Sequence, residues 1–341
     1  MRRIGLLTFI IFITVTGSLA QVNVGQNGSL SGLVYNDYYW VVSNHHEALK
    51  GSHGFWFRRI YFGYNHNHSG SFSSRLRFEM SNDGDFTTMG NMTPFVKDAW
   101  LKWENENHEI FAGISSTPTF DLVENIWDFR AVEKTPLDLH QLASSRDFGL
   151  AARGVLDENE QWSYHVMIGN GNNDGTFNKV RKIMLALSYQ LNEHWVLQAY
   201  GDWENIADDR DWMTVQGFMG YKTDNLAFGA LYALQNRENP ITEDMNLDLA
   251  SAFVRGGLTP LTTGFFRVDH MFTPNPDGEN IDFLPFSDEA ESTFFIAGVD
   301  FQLEDGINLI PNIEGIIYGE TSAGITPRTD LIPRLTLFYS F

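Results

Sequence analysis

The sequence has no cysteine, which removes disulfides, thiolate metal sites and thiol catalysis together. Basic residues are scarce: 23 Lys and Arg stand against 43 Asp and Glu, and the formal net charge of −20 speaks against nucleic-acid binding. Beyond residue 20 no stretch is long or apolar enough for a spanning helix. If the chain enters a membrane, only closed strands remain, because every backbone polar group in hydrocarbon needs a partner and a closed barrel supplies them all. A Gly-x-Ser-x-Gly elbow and a His-Glu-x-x-His helix motif are also missing, and no nucleophile stands beside a base at a telling spacing. The expectation is therefore a non-enzyme without catalytic residues, metal site or cofactor.

What is present begins with Arg2-Arg3, an apolar run from Ile4 to Val15, and the small residues of Thr16-Gly17-Ser18-Leu19-Ala20. This is the pattern of a secretory signal over residues 1–20, cleaved after Ala20 to leave Gln21 first. The apolar run is too short to span hydrocarbon roughly 30 Å thick. With no Cys at the cleavage region, a lipoprotein is excluded. Residues 21–341 are expected to form a single outer-membrane β-barrel domain.

Alternating segments separated by turn residues recur along that span. They centre on Leu33-Val34-Tyr35, Phe57 to Phe62, Arg75 to Glu79, Ala99 to Trp103, Ile110 to Ile114, Phe148 to Arg153, Tyr164 to Ile168 and Met184 to Tyr189. The series continues with Trp195 to Tyr200, Val215 to Met219, Phe228 to Tyr232, Ser251 to Arg255, Phe265 to Asp269, Phe295 to Val299, Ile313 to Ile317 and Leu335 to Tyr339. In the last, Leu335, Leu337, Tyr339 and Phe341 share one face while Arg334, Thr336 and Ser340 share the other, with Phe338 the exception. Bacterial barrel proteins commonly end in such a strand with a terminal Phe, which Phe341 resembles.

The gaps alternate too. Short ones (His66 to Gly70, Asn105 to Asn107, Asp157 to Gln161, Asn192-Glu193, Thr223 to Asn225, Leu258 to Leu261, Glu304 to Gly306) take turns with generally longer ones. Short turns on one side and longer loops on the other predict an all-β, antiparallel up-and-down barrel of about sixteen strands with both ends in the periplasm. The third long gap, Thr117–Ser145, is the longest, and an irregular loop of that size needs a functional reason. The gap resembles the third external loop of sixteen-stranded porins, which folds into the lumen and narrows it, so the same placement is expected here; a barrel this wide leaves an aqueous channel unless something occupies it.

The order of short motifs resembles the phosphate-selective porin O/P family. Those motifs are Phe57-Arg58-Arg59-Ile60-Tyr61-Phe62-Gly63, Phe72-Ser73-Ser74-Arg75-Leu76-Arg77-Phe78, Val96-Lys97-Asp98-Ala99-Trp100-Leu101, and Ala112-Gly113 ahead of Pro118. Arg146-Asp147-Phe148-Gly149, Asn170-Gly171 and Phe266-Arg267-Val268-Asp269 before Pro274-Asn275 continue it over nearly all of the mature chain. The resemblance implies a porin with anion selectivity carried by an arginine ladder and loop lysines. Here, however, the fifth external loop, Glu204-Asn205-Ile206-Ala207-Asp208-Asp209-Arg210-Asp211, is acidic.

Because an Arg or Lys facing mid-bilayer lipid costs about 2–4 kcal/mol, alternation turns the strand cations inward. This assigns Arg59, Arg75, Arg77, Lys102, Arg153, Lys182, Arg255, Arg267 and Arg334 to the pore lining, with Glu79, Asp98, Asp202, Asp269 and Asp300 as inward acids. Arg58 cannot share the inward face with Arg59 under strict alternation and is assigned to the outer face. The constriction is expected from Asp121, Glu124, Asp128, Arg130, Glu133, Lys134 and Arg146, with Asp138 and His140 nearby.

Passive diffusion of small hydrophilic solutes, with a possible anion preference from the basic wall, is the reading that follows. A mutually satisfied, unselective lining is its rival. The partners are outer-membrane lipid, lipopolysaccharide and the solute, with a possible homotrimer, and the location is the bacterial outer membrane. The loop acids Glu204, Asp208, Asp209, Asp211, Glu238, Glu243, Asp244, Asp277, Glu279, Asp282, Asp288, Glu289 and Glu291 serve solvation, or bridge to lipopolysaccharide through divalent cations. Alternative classes are a surface receptor barrel and a barrel hydrolase. His66 and His68 could be metal ligands but sit in a turn rich in Asn and Gly, which accounts for them more plainly.

Overall fold

The computed structural model describes residues 21–86, 92–171, 181–206, 210–238 and 243–341. The expected signal segment and Asp208-Asp209 lie outside the described residues. The strands are β1 (Gln21–Val24), β2 (Gly28–Trp40), β3 (His53–Asn67), β4 (Phe72–Met80), β5 (Phe95–Glu104), β6 (His108–Ser116), β7 (Arg146–Val155), β8 (Trp162–Gly169) and β9 (Arg181–Gln190). They continue as β10 (Trp195–Ile206), β11 (Arg210–Lys222), β12 (Leu226–Arg237), β13 (Met245–Thr259), β14 (Thr262–Met271), β15 (Ser292–Glu304), β16 (Ile307–Tyr318) and β17 (Asp330–Ser340).

From β2 to β17 each strand pairs antiparallel with the next, and β17 pairs back onto β2. The short β1 lies against residues 28–31 of β2, and β17 lies against residues 33–39 of the same edge. Between them Phe341 and Gly32 exchange backbone hydrogen bonds of 2.7 and 3.0 Å. Thus β1 and β17 together fill one strand position, and the wall is a closed barrel of sixteen. A side chain at Gly32 would collide with the Phe341 ring, its Cβ falling 2.1 Å from the ring carbon Cζ.

Alternation decides what each face presents. In β11, Met213, Val215 and Met219 are exposed on the outside, whereas Thr214, Gln216 and Phe218 are buried within. In β9 the pairs are Ile183 and Leu185 outside, Lys182 and Met184 inside. So long an exposed apolar band is the signature of a wall that faces lipid.

Two bulges break this rule and correct the expectation for Arg58. The β2–β3 register passes from Tyr35↔Arg59 to Asn36↔Phe57, leaving Arg58 as an extra residue. A bulge puts two residues of one strand opposite one of the other, so the parity flips there. Arg58 is buried on Asp37 and on the Val132 carbonyl, while Arg59 meets Glu79 at 3.1 Å. Likewise the β4–β5 register steps from Arg77↔Asp98 to Phe78↔Val96 and frees Lys97 to join Asp98. Lys97 Nζ lies 2.9 Å from Glu79.

The connection between β6 and β7 carries two helices, α1 (Phe120–Trp127) and α2 (Pro136–Leu139), where the sequence reading gives an irregular loop. A helix of two turns is below the length that stands alone in water, so packing holds it. Phe120, Val123, Ile126 and Trp127, spaced for one helical face, supply that packing.

Candidate functional site

The β6–β7 connection is tied by its backbone to the inner side chains of the wall. Asn125 O accepts from Lys222 at 2.9 Å, Ile126 O from Arg255 at 3.2 Å, Val132 O from Arg334 at 2.9 Å and Leu142 O from Gln235 at 2.7 Å. Arg58 also donates to the Ala131 and Val132 carbonyls, and Arg267 to the Lys134 carbonyl. These donors come from β3, β11, β12, β13, β14 and β17. A buried segment outside the sheet has carbonyls without ladder partners, and the wall cations and the Gln235 amide satisfy these.

Local chemistry shapes the segment. Thr119 at the N-cap of α1 makes no cap, its hydroxyl instead accepting from Gln216 at 3.0 Å. Asp128 then takes a left-handed conformation, φ 61°, which ends the helix at a residue type that tolerates it. Pro136 opens α2 at a position where its missing N–H costs nothing.

The inner face has two chemical halves. Along β11–β17 it is dry: Phe218, Leu231, Leu249, Phe253, Phe265, Phe294, Ile296 and Ile332 pack with Val123, Ile126, Trp127, Phe129, Val132 and Leu137 of the connection. Phe129 stacks on Phe265 with ring centroids 4.1 Å apart. Two ion pairs in this half are sealed, Arg267 with Asp269 and Arg334 with Glu314 all being 0% exposed.

Along β3–β9 the inner face carries more ion pairs, some of them partly open, beside a smaller apolar cluster that includes Phe111, Met167 and Met184. Asp98 receives Arg146 at 2.6 Å, Arg77 at 2.6 Å and Arg75 at 3.7 Å. Glu109 receives Lys102 at 2.8 Å and also Arg153, which reaches Asp121 of α1 at 2.9 Å. Arg75 and Arg153 are 36% exposed, and Asp121 41%. Further round, Lys182 is closed off between Asp202 at 3.2 Å and Glu204 at 3.1 Å.

Every cation assigned to the lining from sequence has a carboxylate partner. For Arg255 it is Asp128 at 3.2 Å. Arg267 and Arg334 sit under the connection, so they anchor it where the sequence reading has them facing the lumen. Among the constriction residues, Asp121, Glu124 and Asp128 are the open ones; Arg130 is paired with Asp138 at 3.0 Å, and Arg146 belongs to β7. Burial pulls the Lys134 ammonium below its ordinary pKa. Burial favours the neutral acid at Glu133, but Arg334 and Arg58, each about 4 Å away, outweigh it and hold the carboxyl below its ordinary range. Of the acids assigned to loops, Glu204 is a strand residue on Lys182 and Asp277 is held by Arg237 at 2.7 Å. His66 and His68 meet the hydroxyls of Tyr64 at 3.0 Å and Ser74 at 2.9 Å.

A sheet closed on itself, apolar outside and ionic within, is the architecture shared with known transport barrels. The chain has the fold of outer-membrane porins. It is similar to an anion-selective porin from Comamonas acidovorans, at TM-score 0.68 and 10% identity, covering 92% of this chain and 99% of that one. The outer membrane channel DcaP of Acinetobacter baumannii gives TM-score 0.67 and 13% identity, over 95% and 100% of the two chains. OmpT of Vibrio cholerae in its trimer form gives 0.62 and 9%, over 93% and 100%. No protein-family model matches the sequence, and no curated protein matches it.

Proposed function

We propose that this protein is an outer-membrane porin, a non-enzymatic channel for passive diffusion of small hydrophilic solutes. The observation that carries the reading is the division of the inner face. In this reading the β6–β7 connection, held by hydrogen bonds and apolar contacts to β11–β17, lies inside the barrel and leaves the water path along β3–β9. Solute size is then set between α1 and Arg75, Arg77, Arg146 and Arg153, and the long connections face outward from the cell.

Charge preference is weak in this reading. Asp98, Glu109 and Asp121 offset most of the basic side chains, so fixed charge concentrates anions only modestly. Arg75 and Arg153, the more exposed cations, give what anion preference there is. The motif order resembles that of the phosphate-selective O/P family, whereas the pairing of the lining cations with carboxylates argues against phosphate itself. Partners are outer-membrane lipid, lipopolysaccharide and a homotrimer packed through apolar outer faces, the last supported by a similar barrel described as a trimer.

The test is reconstitution of the purified chain in planar bilayers under a salt gradient. Discrete conductance steps with a small anion-side reversal potential are expected. Absence of steps would sink the channel reading, and a strong cation preference would sink the role given to Arg75 and Arg153.

A further inference from the structure

At one rim of the barrel, two connections converge beside the start of β17 on a group of side chains that the channel reading does not use. His45 and His46 lie in the turn after β2, and Glu279 in a single 3-10 turn, Gly278–Asn280, between β14 and β15. Glu279 Oε1 is 3.2 Å from His45 Nε2, and Oε2 is 2.8 Å from His46 Nε2. One ligand atom from each of the three residues fits within 4.8 Å. The two imidazole rings lie side by side, centroids 4.2 Å apart.

The supporting contacts are as specific. His45 Nδ1 faces Asp330 Oδ2 at 2.8 Å, and the His45 backbone N–H donates to Oδ1 of the same carboxylate. Asp330 is fully buried and also accepts from the Tyr318 hydroxyl at 2.5 Å. A carboxylate on Nδ1 keeps the proton there and leaves the Nε2 lone pair pointing at the other two groups, the arrangement by which proteins orient a metal-bound histidine. The His46 backbone is pinned by Asn44 at 2.9 Å, and Glu279 follows Asp277, which Arg237 holds. His45 is buried, while His46 at 50% and Glu279 at 32% keep the site open to water.

We propose that His45, His46 and Glu279 bind a divalent transition-metal ion, Zn²⁺ by its chemistry, which clasps the β2–β3 and β14–β15 connections beside the β17–β2 seam. Two imidazoles and a carboxylate match a zinc site with an open fourth position for water. Donor atoms about 2.0–2.1 Å from one tetrahedral ion lie roughly 3.3 Å apart; each imidazole is already about that far from one Glu279 oxygen, and the three donors, within 4.8 Å of one another, close the rest on binding. Ca²⁺ and Mg²⁺ prefer an all-oxygen shell and fit this donor set poorly. The competing arrangement is metal-free, with imidazolium rings paired to Glu279 and Asp330.

Full-length protein in detergent, stripped with a chelator and dialysed against Zn²⁺ near neutral pH, should retain about one equivalent per chain. H46A and E279Q should each weaken retention about tenfold or more, and D330N, acting through His45, about 10–100-fold. Heat-modifiable migration on gels should be unchanged in H46A and E279Q, since both side chains are solvent-exposed. Co²⁺ substitution should give intense visible bands of low-coordinate geometry that vanish in H46A. Failure to retain zinc, or equal retention in H46A and E279Q, overturns the site in favour of the metal-free ion pairs.

Discussion

Ile126 of α1 occupies the space that a side chain at Gly220 of β11 would need: an added Cβ would lie 2.2 Å from the Ile126 δ-methyl. The helix is seated in a notch that the wall leaves for it. Gly220→Val should push α1 off this seat, costing about 1–3 kcal/mol as an overpacked site does. Single-channel conductance in planar bilayers should rise above wild type.

The open and sealed cations separate charge from architecture. Replacing Arg75 and Arg153 together with Ala should move the reversal potential toward cations, since Asp98, Glu109 and Asp121 are then less offset. Arg267→Met should lower stability and leave the reversal potential in place, because Arg267 is closed off with Asp269. A matching shift in both would mean that the sealed half is wetted.

Arg334 contacts Glu314 and donates to Val132 O at 2.9 Å, and it lies 3.9 Å from Glu133. Removing it in Arg334→Met leaves buried Glu314 without its partner and Glu133 with Arg58 alone, which costs about 3–5 kcal/mol. Urea-induced unfolding in detergent should show this loss. The double substitution Arg334→Met with Glu314→Gln should recover part of it.

Acid should loosen the same anchor. Glu133 is held below its ordinary pKa in the folded chain, so its stabilising contribution is complete above the unfolded carboxyl value of about 4.3 and fades as pH falls further. Conductance recorded between neutral pH and pH of about 3 should increase on the acid side. Glu133→Gln should remove most of that pH dependence.

Much of the barrel was legible because period-two alternation and turn residues are local signals. The short connections at 105–107, 223–225 and 305–306 fall where Asn105 to Asn107, Thr223 to Asn225 and Glu304 to Gly306 mark them. Strict alternation misled at Arg58, where the chain changes face within a bulge. A usable signal was present: Arg58-Arg59 and Lys97-Asp98 are each adjacent charges within a strand, one of which would meet lipid unless an extra residue turns both inward. The dry half was harder to see. Phe253, Phe294 and Ile296 look the same in sequence whether they face lipid or a docked helix, and only the partner in the fold tells them apart. The spacing of Phe120, Val123, Ile126 and Trp127 announces α1, but two turns are too few to stand out without the wall they pack on.

The apolar contact that seats the β6–β7 connection gives the proposed channel a thermal character. Hydrophobic association weakens on cooling, so the grip of Trp127, Phe129 and Val132 on Phe253 and Phe265 should relax in the cold. Ordinary electrolyte conduction falls with temperature as viscosity rises. In this barrel, conductance corrected for bulk electrolyte should instead climb as the bilayer approaches freezing, and Gly220→Val, with the seat already lost, should follow the bulk curve.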